Sequence, residues 1–311
     1  MAAHKTSWLP ELAAATGAIL GGSAVVATRF GVGEGDPLII AFLRHYIAAV
    51  ILLPLALYHF RFRLRIAPAD VLPLVALALI QFALFGWLFA ASLSYIPAAR
   101  GSIVLATMPL LTLTLASVLG LEQLTRAKLA GVAIAFAAIA IALGERAHAT
   151  HPQAWLGDLL MVTAALAGSI YNALAGIYLR RYPALVVTGL SVPIGAVGLA
   201  VAVTFSGQLG ELAQLSTSTW LASAYLGSIG GAVCFFLWIW ALERTTPTRV
   251  AVMVTLNPLS SALIAWLALS EPITLRIIIG LVGVMGGIAL ANWRPRPAPA
   301  TVVAPEPLPP A

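Results

Sequence analysis

An all-α integral membrane protein, with ten transmembrane helices in two inverted five-helix repeats, is the fold class the sequence predicts, and three observations predict it. The first is composition. Hydrophobic residues fill 61% of the 311 positions and charged residues only 9%, against about a quarter charged in soluble domains. A soluble chain of this length has no polar surface to spare for covering such a core. The second is the spacing of the apolar runs, ten of which reach the roughly 20 residues that a spanning helix needs. The third is an internal repeat: Arg100, Pro109, Glu122 and Gly131 return as Arg249, Pro258, Glu271 and Gly280, each 149 residues on. Pro97 answers Pro247 once a one-residue gap is allowed.

The spans fall near residues 10–30, 37–58, 71–94, 101–119, 127–144, 157–178, 184–205, 219–242, 250–269 and 275–293. Connections are short except at 147–156 and 207–218, so neighbouring helices run antiparallel. The repeats occupy residues 7–147 and 152–293, and the Pro-rich and Ala-rich stretch 294–311 is expected to be a disordered cytoplasmic tail. The first run superficially resembles a signal peptide behind Lys5. It carries Gly17, Gly21, Gly22 and Arg29, has no cleavage signal, and lines up with the later segment around Gly168, so it reads as a retained first span.

Small residues mark packing faces, since lipid supplies no hydrophobic drive between helices. Gly17 and Gly21, then Ala164, Gly168, Asn172 and Gly176, then Gly283 and Gly287 recur at a spacing of four. The third and eighth spans are rich in aromatics, among them Phe82, Phe85, Trp87, Phe89, Phe235, Phe236, Trp238 and Trp240. The fourth and ninth each carry a proline, Pro109 and Pro258, which removes a backbone bond and frees the carbonyl four residues back, at Leu105 and Val254. Matching proline-broken spans in two halves point to a transporter's substrate site.

Basic residues set the orientation. With a cytoplasmic N-terminus the inner side collects Lys5, Arg61, Arg63, Arg65, Arg126, Lys128, Arg180, Arg181, Arg244, Arg249, Arg294 and Arg296, and the outer side Arg29, Arg100, Arg146 and Arg276. Twelve against four places both termini in the cytoplasm. Five helices per half then invert the second repeat relative to the first. The same bias explains the net charge of +6 without nucleic acid as a partner. Cys234 is the single cysteine, which excludes an intramolecular disulfide and a cysteine metal cluster; no cofactor or metal is expected.

Arg44 stands alone as a cation inside the membrane. It lies eight residues after Asp36, hence roughly 12 Å deep in a core about 30 Å thick at about 1.5 Å per residue. An intramembrane cation is a functional-site hypothesis by default, and the chain offers it no intramembrane carboxylate. A structural role competes, with Arg44 satisfied by backbone carbonyls or by reaching Asp36 or Glu34. His45 is a candidate proton carrier, although adjacent helix positions point about 100° apart. Trp87 and Trp238 lie too deep for an interfacial belt. With Gln81, Asn172 and Asn257, and with Tyr95 and Tyr171 nearby, they are candidates to line a cavity with Arg44 and His45. Glu122 and Glu271, at loop–helix junctions, are candidate gates or helix caps, capping being the simpler role.

The stretch Ser94-Tyr95-Ile96-Pro97-Ala98-Ala99-Arg100, followed by Met108-Pro109, Leu121-Glu122-Gln123-Leu124-Thr125 and Gly131, resembles the repeat unit of the drug/metabolite transporter superfamily, EamA type. Gly21-Gly22-Ser23 and Phe42-Leu43-Arg44 also resemble it. The second copy departs: Asn257 precedes Pro258 where Met108 precedes Pro109, and Leu190 stands near the position matching Arg44. The resemblance implies ten helices in two inverted five-helix repeats and secondary transport, often export, of amino acids or other small metabolites; the cell inner membrane is the expected location, and protons are a candidate coupling ion through His45. A buried cation in place of a buried anion favours a carboxylate-bearing cargo over a cationic drug. Export of drugs or neutral metabolites and passive facilitation are the alternatives. An intramembrane enzyme is disfavoured, because no carboxylate pair, metal cluster or nucleophile–base arrangement is present in the spans.

Overall fold

A computed structural model describes residues 8–59, 66–121, 125–143, 152–242, 244, 253 and 256–291. All regular structure among them is helical. Helix α1 (Leu9–Glu34) starts on Pro10, whose missing N–H would have had no partner in a first turn. Helix α2 (Pro37–His59) starts behind Asp36, whose Oδ1 accepts the Leu38 N–H at 2.7 Å. The third span is α3 (Pro68–Ala78), a π-helical segment Leu79–Leu84, and α4 (Phe85–Leu93). The fourth is broken: α5 (Ala98–Leu105) stops, Ala106 and Thr107 turn, and α6 (Met108–Val118) restarts with Pro109 in its first turn. Helix α7 (Arg126–Leu143) completes the first half.

The second half repeats the order. It comprises α8 (Ala154–Leu179), α9 (Ala184–Phe205), a 3-10 helix Gln208–Gln214 in the connection read as loop, α10 (Thr217–Gly227), a π-helical segment Ser228–Val233, α11 (Cys234–Leu242), α12 (Leu256–Leu269) and α13 (Leu275–Ala291). Among the described residues seven spans are long and apolar enough to cross a membrane, and α12 and α13 are shorter apolar helices. Glu122, Arg249, Val254 and the 294–311 tail lie outside the described residues.

The C-terminal end of α1 and the N-terminal end of α8 line one cavity, so the first helices of the two halves run in opposite directions. Each π-helical segment packs against helices of the other half: the first against α8 and α9, the second against α1 and α2. Small residues set how closely helices meet. A Cβ on Gly131 would lie 2.4 Å from the Gly287 carbonyl, and one on Gly287 would lie 2.5 Å from that of Gly131, so α7 and α13 touch backbone to backbone. The largest buried cluster joins both halves through Phe89, Leu93, Ile103, Met161, Ile277 and Leu281. A second cluster, with Leu52, Phe82, Val192 and Ala232, fills the space between α2, α9 and the two π-helical segments.

Candidate functional site

Arg44 extends from α2 over the Phe89 ring of α4, with its guanidinium carbon 5.7 Å from the ring centre. Phe85 stacks parallel to Phe89 at 5.9 Å and extends this aromatic wall. Cys234 of α11 is within electrostatic range of Arg44, and its Sγ donates to the Gly17 carbonyl of α1 at 3.1 Å. The competing partners for Arg44 are engaged elsewhere. Glu34 accepts from Ser216, Ser218 and Thr219, and Asp36 caps α2. Among the described residues no hydrogen bond or ion pair reaches the Arg44 guanidinium.

Asn257 lies beside Cys234 across Gly21: a Cβ built on Gly21 would stand 2.5 Å from Asn257 Nδ2 and 3.9 Å from Cys234 Sγ. The matching place in the other half is apolar, because a Cβ on Gly168 would meet the Met108 methyl and, at 3.4 Å, Phe85. The repeat therefore builds two cradles and only one is polar. Trp238 packs partly buried against Ala14 and Ala241, one turn along α11 from Cys234.

His45 turns to another side. Its Nδ1 lies 2.7 Å from the Ala41 carbonyl, its ring meets Phe82 edge-on at 6.0 Å, and Gly86 leaves room for it. Gln81 sits in the first π-helical segment with a buried Oε1 that finds no hydrogen bond among the described groups. Trp87 is 40% exposed and shares an exposed stripe with Leu72, Leu79 and Leu84, while Asn172 is exposed on α8. These two stand on outward faces, apart from Arg44. Pro109 is exposed at the break between α5 and α6, and Pro258 is buried in the first turn of α12.

A cavity of about 600 Å³ lies at the end of the bundle that holds Glu271, bordered by Arg29, Tyr95, Arg100, Ser270 and Thr274. That volume suits a small molecule. It is separate from the Arg44 wall, and among the described residues Glu271 and Tyr95 are the candidates that border it. Glu271 caps a helix of the other half: Oε2 and Oε1 accept the Ala98 N–H at the start of α5 at 2.9 and 3.2 Å. Arg29 Nε stands 3.5 Å from Oε1, and Arg29 Nη1 donates to the Leu93 carbonyl at 2.8 Å. Burial pushes the Glu271 carboxyl above the ordinary range, against the opposing pull of Arg29 and of the Ala98 and Ala99 N–H groups. Beside it Arg100 grips Asp158 of α8 through two hydrogen bonds, the Nε one at 2.8 Å.

Asp158, Arg29 and Cys234 were not among the residues singled out as site candidates. Leu156-Gly157-Asp158-Leu159 matches Leu9-Pro10-Glu11-Leu12, so carrying the repeat alignment into the first helices flags Asp158. Nothing comparable marks Cys234.

The sequence profile of the EamA-like transporter family matches residues 8–144 and again 155–293. The chain belongs to this family. The two matched stretches run over α1–α7 and over α8–α13. A probable amino-acid metabolite efflux pump of Escherichia coli (strain K12) is 28% identical over 227 residues, 69% of this chain and 75% of its own. A probable terminal-alkyne amino-acid exporter of Streptantibioticus cattleyicolor is 28% identical over 204 residues, 64% of this chain and 66% of its own. An uncharacterized transporter of Bacillus subtilis (strain 168), YyaM, is 22% identical over 276 residues, 88% of this chain and 90% of its own. A solved crystal structure shares the fold with a TM-score of 0.64 at 21% identity, covering 91% of this chain and 96% of its own.

Proposed function

We propose that this EamA-like protein is a secondary transporter that exports amino acids or related carboxylate-bearing metabolites by alternating access, with Arg44 gripping the carboxylate. The observation that carries the reading is the Arg44 guanidinium, deep in the bundle, set against Phe89 and without an anion among the described residues. A cation so placed is costly unless paired, and a substrate carboxylate supplies the pair. The names of the two exporter relatives favour the same cargo. In this reading ten spans cross the cell inner membrane, both termini are cytoplasmic, and the Glu271 end faces outward. Asn257 and Trp238 flank the site, Gln81 and His45 shape its far wall, and the break before Pro109 opens backbone toward it. Trp87 and Asn172 face lipid.

The test is counterflow of a tritiated mixture of L-amino acids in reconstituted vesicles, followed by binding of the accepted amino acid and of its carboxamide. Wild type should prefer the carboxylate by very roughly 30-fold to 150-fold, the worth of a charge-assisted bond of ~2 to 3 kcal/mol. Arg44→Lys should keep part of that preference, since a point charge lacks the bidentate fork, and Arg44→Ala should lose it. Equal binding of acid and amide by wild type sinks the carboxylate role and favours a neutral cargo.

A further inference from the structure

We propose that the cavity at the Glu271 end holds a second binding site for cargo, an exit subsite in which Arg29 and the first N–H groups of α5 take the cargo carboxylate in exchange for that of Glu271. The idea rests on the transporter reading above, in which this end faces outward, and adds a site apart from the Arg44 wall. Glu271 belongs to the second half, whereas its partners Ala98 and Arg29 belong to the first. The carboxylate that now fills the place therefore has to leave it when the halves part.

The place exists because Pro97, at the N-cap of α5, offers no side-chain acceptor to the N–H groups that open the helix. Glu271 supplies the acceptor from the other half: it takes the Ala98 N–H at 2.9 and 3.2 Å, and the Ala99 N–H pulls on the same carboxyl. Arg29 reaches it from α1, with Nε 3.5 Å from Oε1. The helix end alone would hold nothing. Arg29 adds a full charge, and the cavity of about 600 Å³ beside it, bordered also by Tyr95, Ser270 and Thr274, gives a small molecule room. Backbone donors and a guanidinium that converge on one carboxylate suit a cargo carboxylate as well as a side chain.

The neighbouring charges leave the place to these two carboxylates. Arg100 is occupied by Asp158 of α8, and Glu34, also on the border, is engaged by Ser216, Ser218 and Thr219. Burial works against an anion here despite Arg29 and the two N–H groups, so the site holds a carboxylate loosely. An exit requires that weakness. As cargo passes outward, its carboxylate enters the place while Glu271 turns into the cavity; when Glu271 returns, cargo is expelled and the halves are tied again. One carboxylate leaves for each that enters, and the charge at Arg29 stays balanced.

Two measurements test this. Glu271→Ala removes a group the size of acetate, so acetate should raise the unfolding midpoint of Glu271→Ala in detergent well beyond its effect on wild type. Acetamide should not, and adding Arg29→Gln should remove most of the gain. The second measurement uses Arg44→Ala proteins, whose deep site is disabled, in right-side-out vesicles with the tritiated L-amino acid mixture outside. Adding Glu271→Ala removes the tethered competitor and should tighten binding at least about tenfold, and Glu271→Gln, a neutral and weaker competitor, should fall between. Glu271→Gln keeps an acceptor for the Ala98 N–H, so its binding decides the matter should Glu271→Ala not fold. Equal acetate shifts in wild type and Glu271→Ala, acetamide shifts as large as those of acetate, or outer binding unchanged in both Glu271 variants overturns the proposal. Where no protein binds amino acids, those with Arg44 intact included, the amino-acid reading alone is rejected and the acetate arm still decides the subsite.

Discussion

Single residues were legible where their chemistry was out of place and illegible where only a helix face mattered. Arg44 stood out because a lone cation in an apolar run has few places to go, and its setting against Phe89 is consistent with that isolation. Trp87 and Asn172 offered no such clue, since a lipid-facing side is as apolar as a packed one and no polar stripe tells them apart. The glycine stripes show the same limit. Gly21 and Gly168 pack tightly, yet a Cβ on Gly176 would meet nothing within 4 Å. Gly22, one position off the α1 stripe, is the tightest of these: its Cβ would stand 2.4 Å from the Asn257 carbonyl and 2.8 Å from the Ser261 nitrogen, both backbone atoms of α12. Gly22→Ala should therefore destabilise by about 1–3 kcal/mol through overpacking. Gly176→Ala should be neutral or stabilise by up to about 1 kcal/mol through helix propensity. Thermal unfolding in detergent compares them, and equal midpoints would show that α1 and α12 do not approach this closely.

Elements were legible when a residue type forces them. Proline forces the interruption between α5 and α6, with Pro109 in the first turn after the break. No residue type marks a π-helical segment, so Leu79–Leu84 and Ser228–Val233 went unseen although they lie 149 residues apart, the interval of the repeat itself. Such segments insert extra backbone into a helix and are frequent at functional sites. Here they turn the exposed stripe of the third span between Leu79 and Leu84, and they aim Gly86 at His45 and Phe89 at Arg44. Deleting Ile80 should restore an ordinary helix and leave α4 facing as before, because the wide turn already absorbs one extra residue, so Phe89 stays at the guanidinium. Exchange should then fall less than about tenfold, under ~1.4 kcal/mol in site geometry. A larger fall in a correctly inserted deletion protein would make the wide turn itself part of the site's construction.

At the scale of the whole molecule the repeat was legible from punctuation alone, whereas the ties between the halves were not, because they join residues whose pairing only the folded chain shows. Glu34, at the end of α1, accepts hydrogen bonds from Ser216, Ser218 and Thr219 at the start of α10. At the opposite end Asp70, at the start of α3, accepts from Tyr182 at 2.7 Å and pairs with Arg181 at 3.2 Å, just after α8. Glu34 and Arg181 are 147 residues apart, and Asp70 and Thr219 are 149 apart, so one position in the repeat carries a clasp at each end with its charge reversed. Alternating access requires one end to part while the other holds, which sets the two clasps in competition. Glu34→Gln weakens the clasp at the Glu271 end and should raise maleimide labelling of Leu105→Cys from outside intact cells. Asp70→Asn weakens the opposite clasp and should lower it. The Asp70 effect should be the larger, since Asp70 is buried and accepts from Tyr182 at 2.7 Å, whereas Glu34 meets Ser216 and Ser218 in water. A swapped response would reverse the inferred orientation of the bundle, and a change in the same direction for both variants would show that the clasps do not oppose each other.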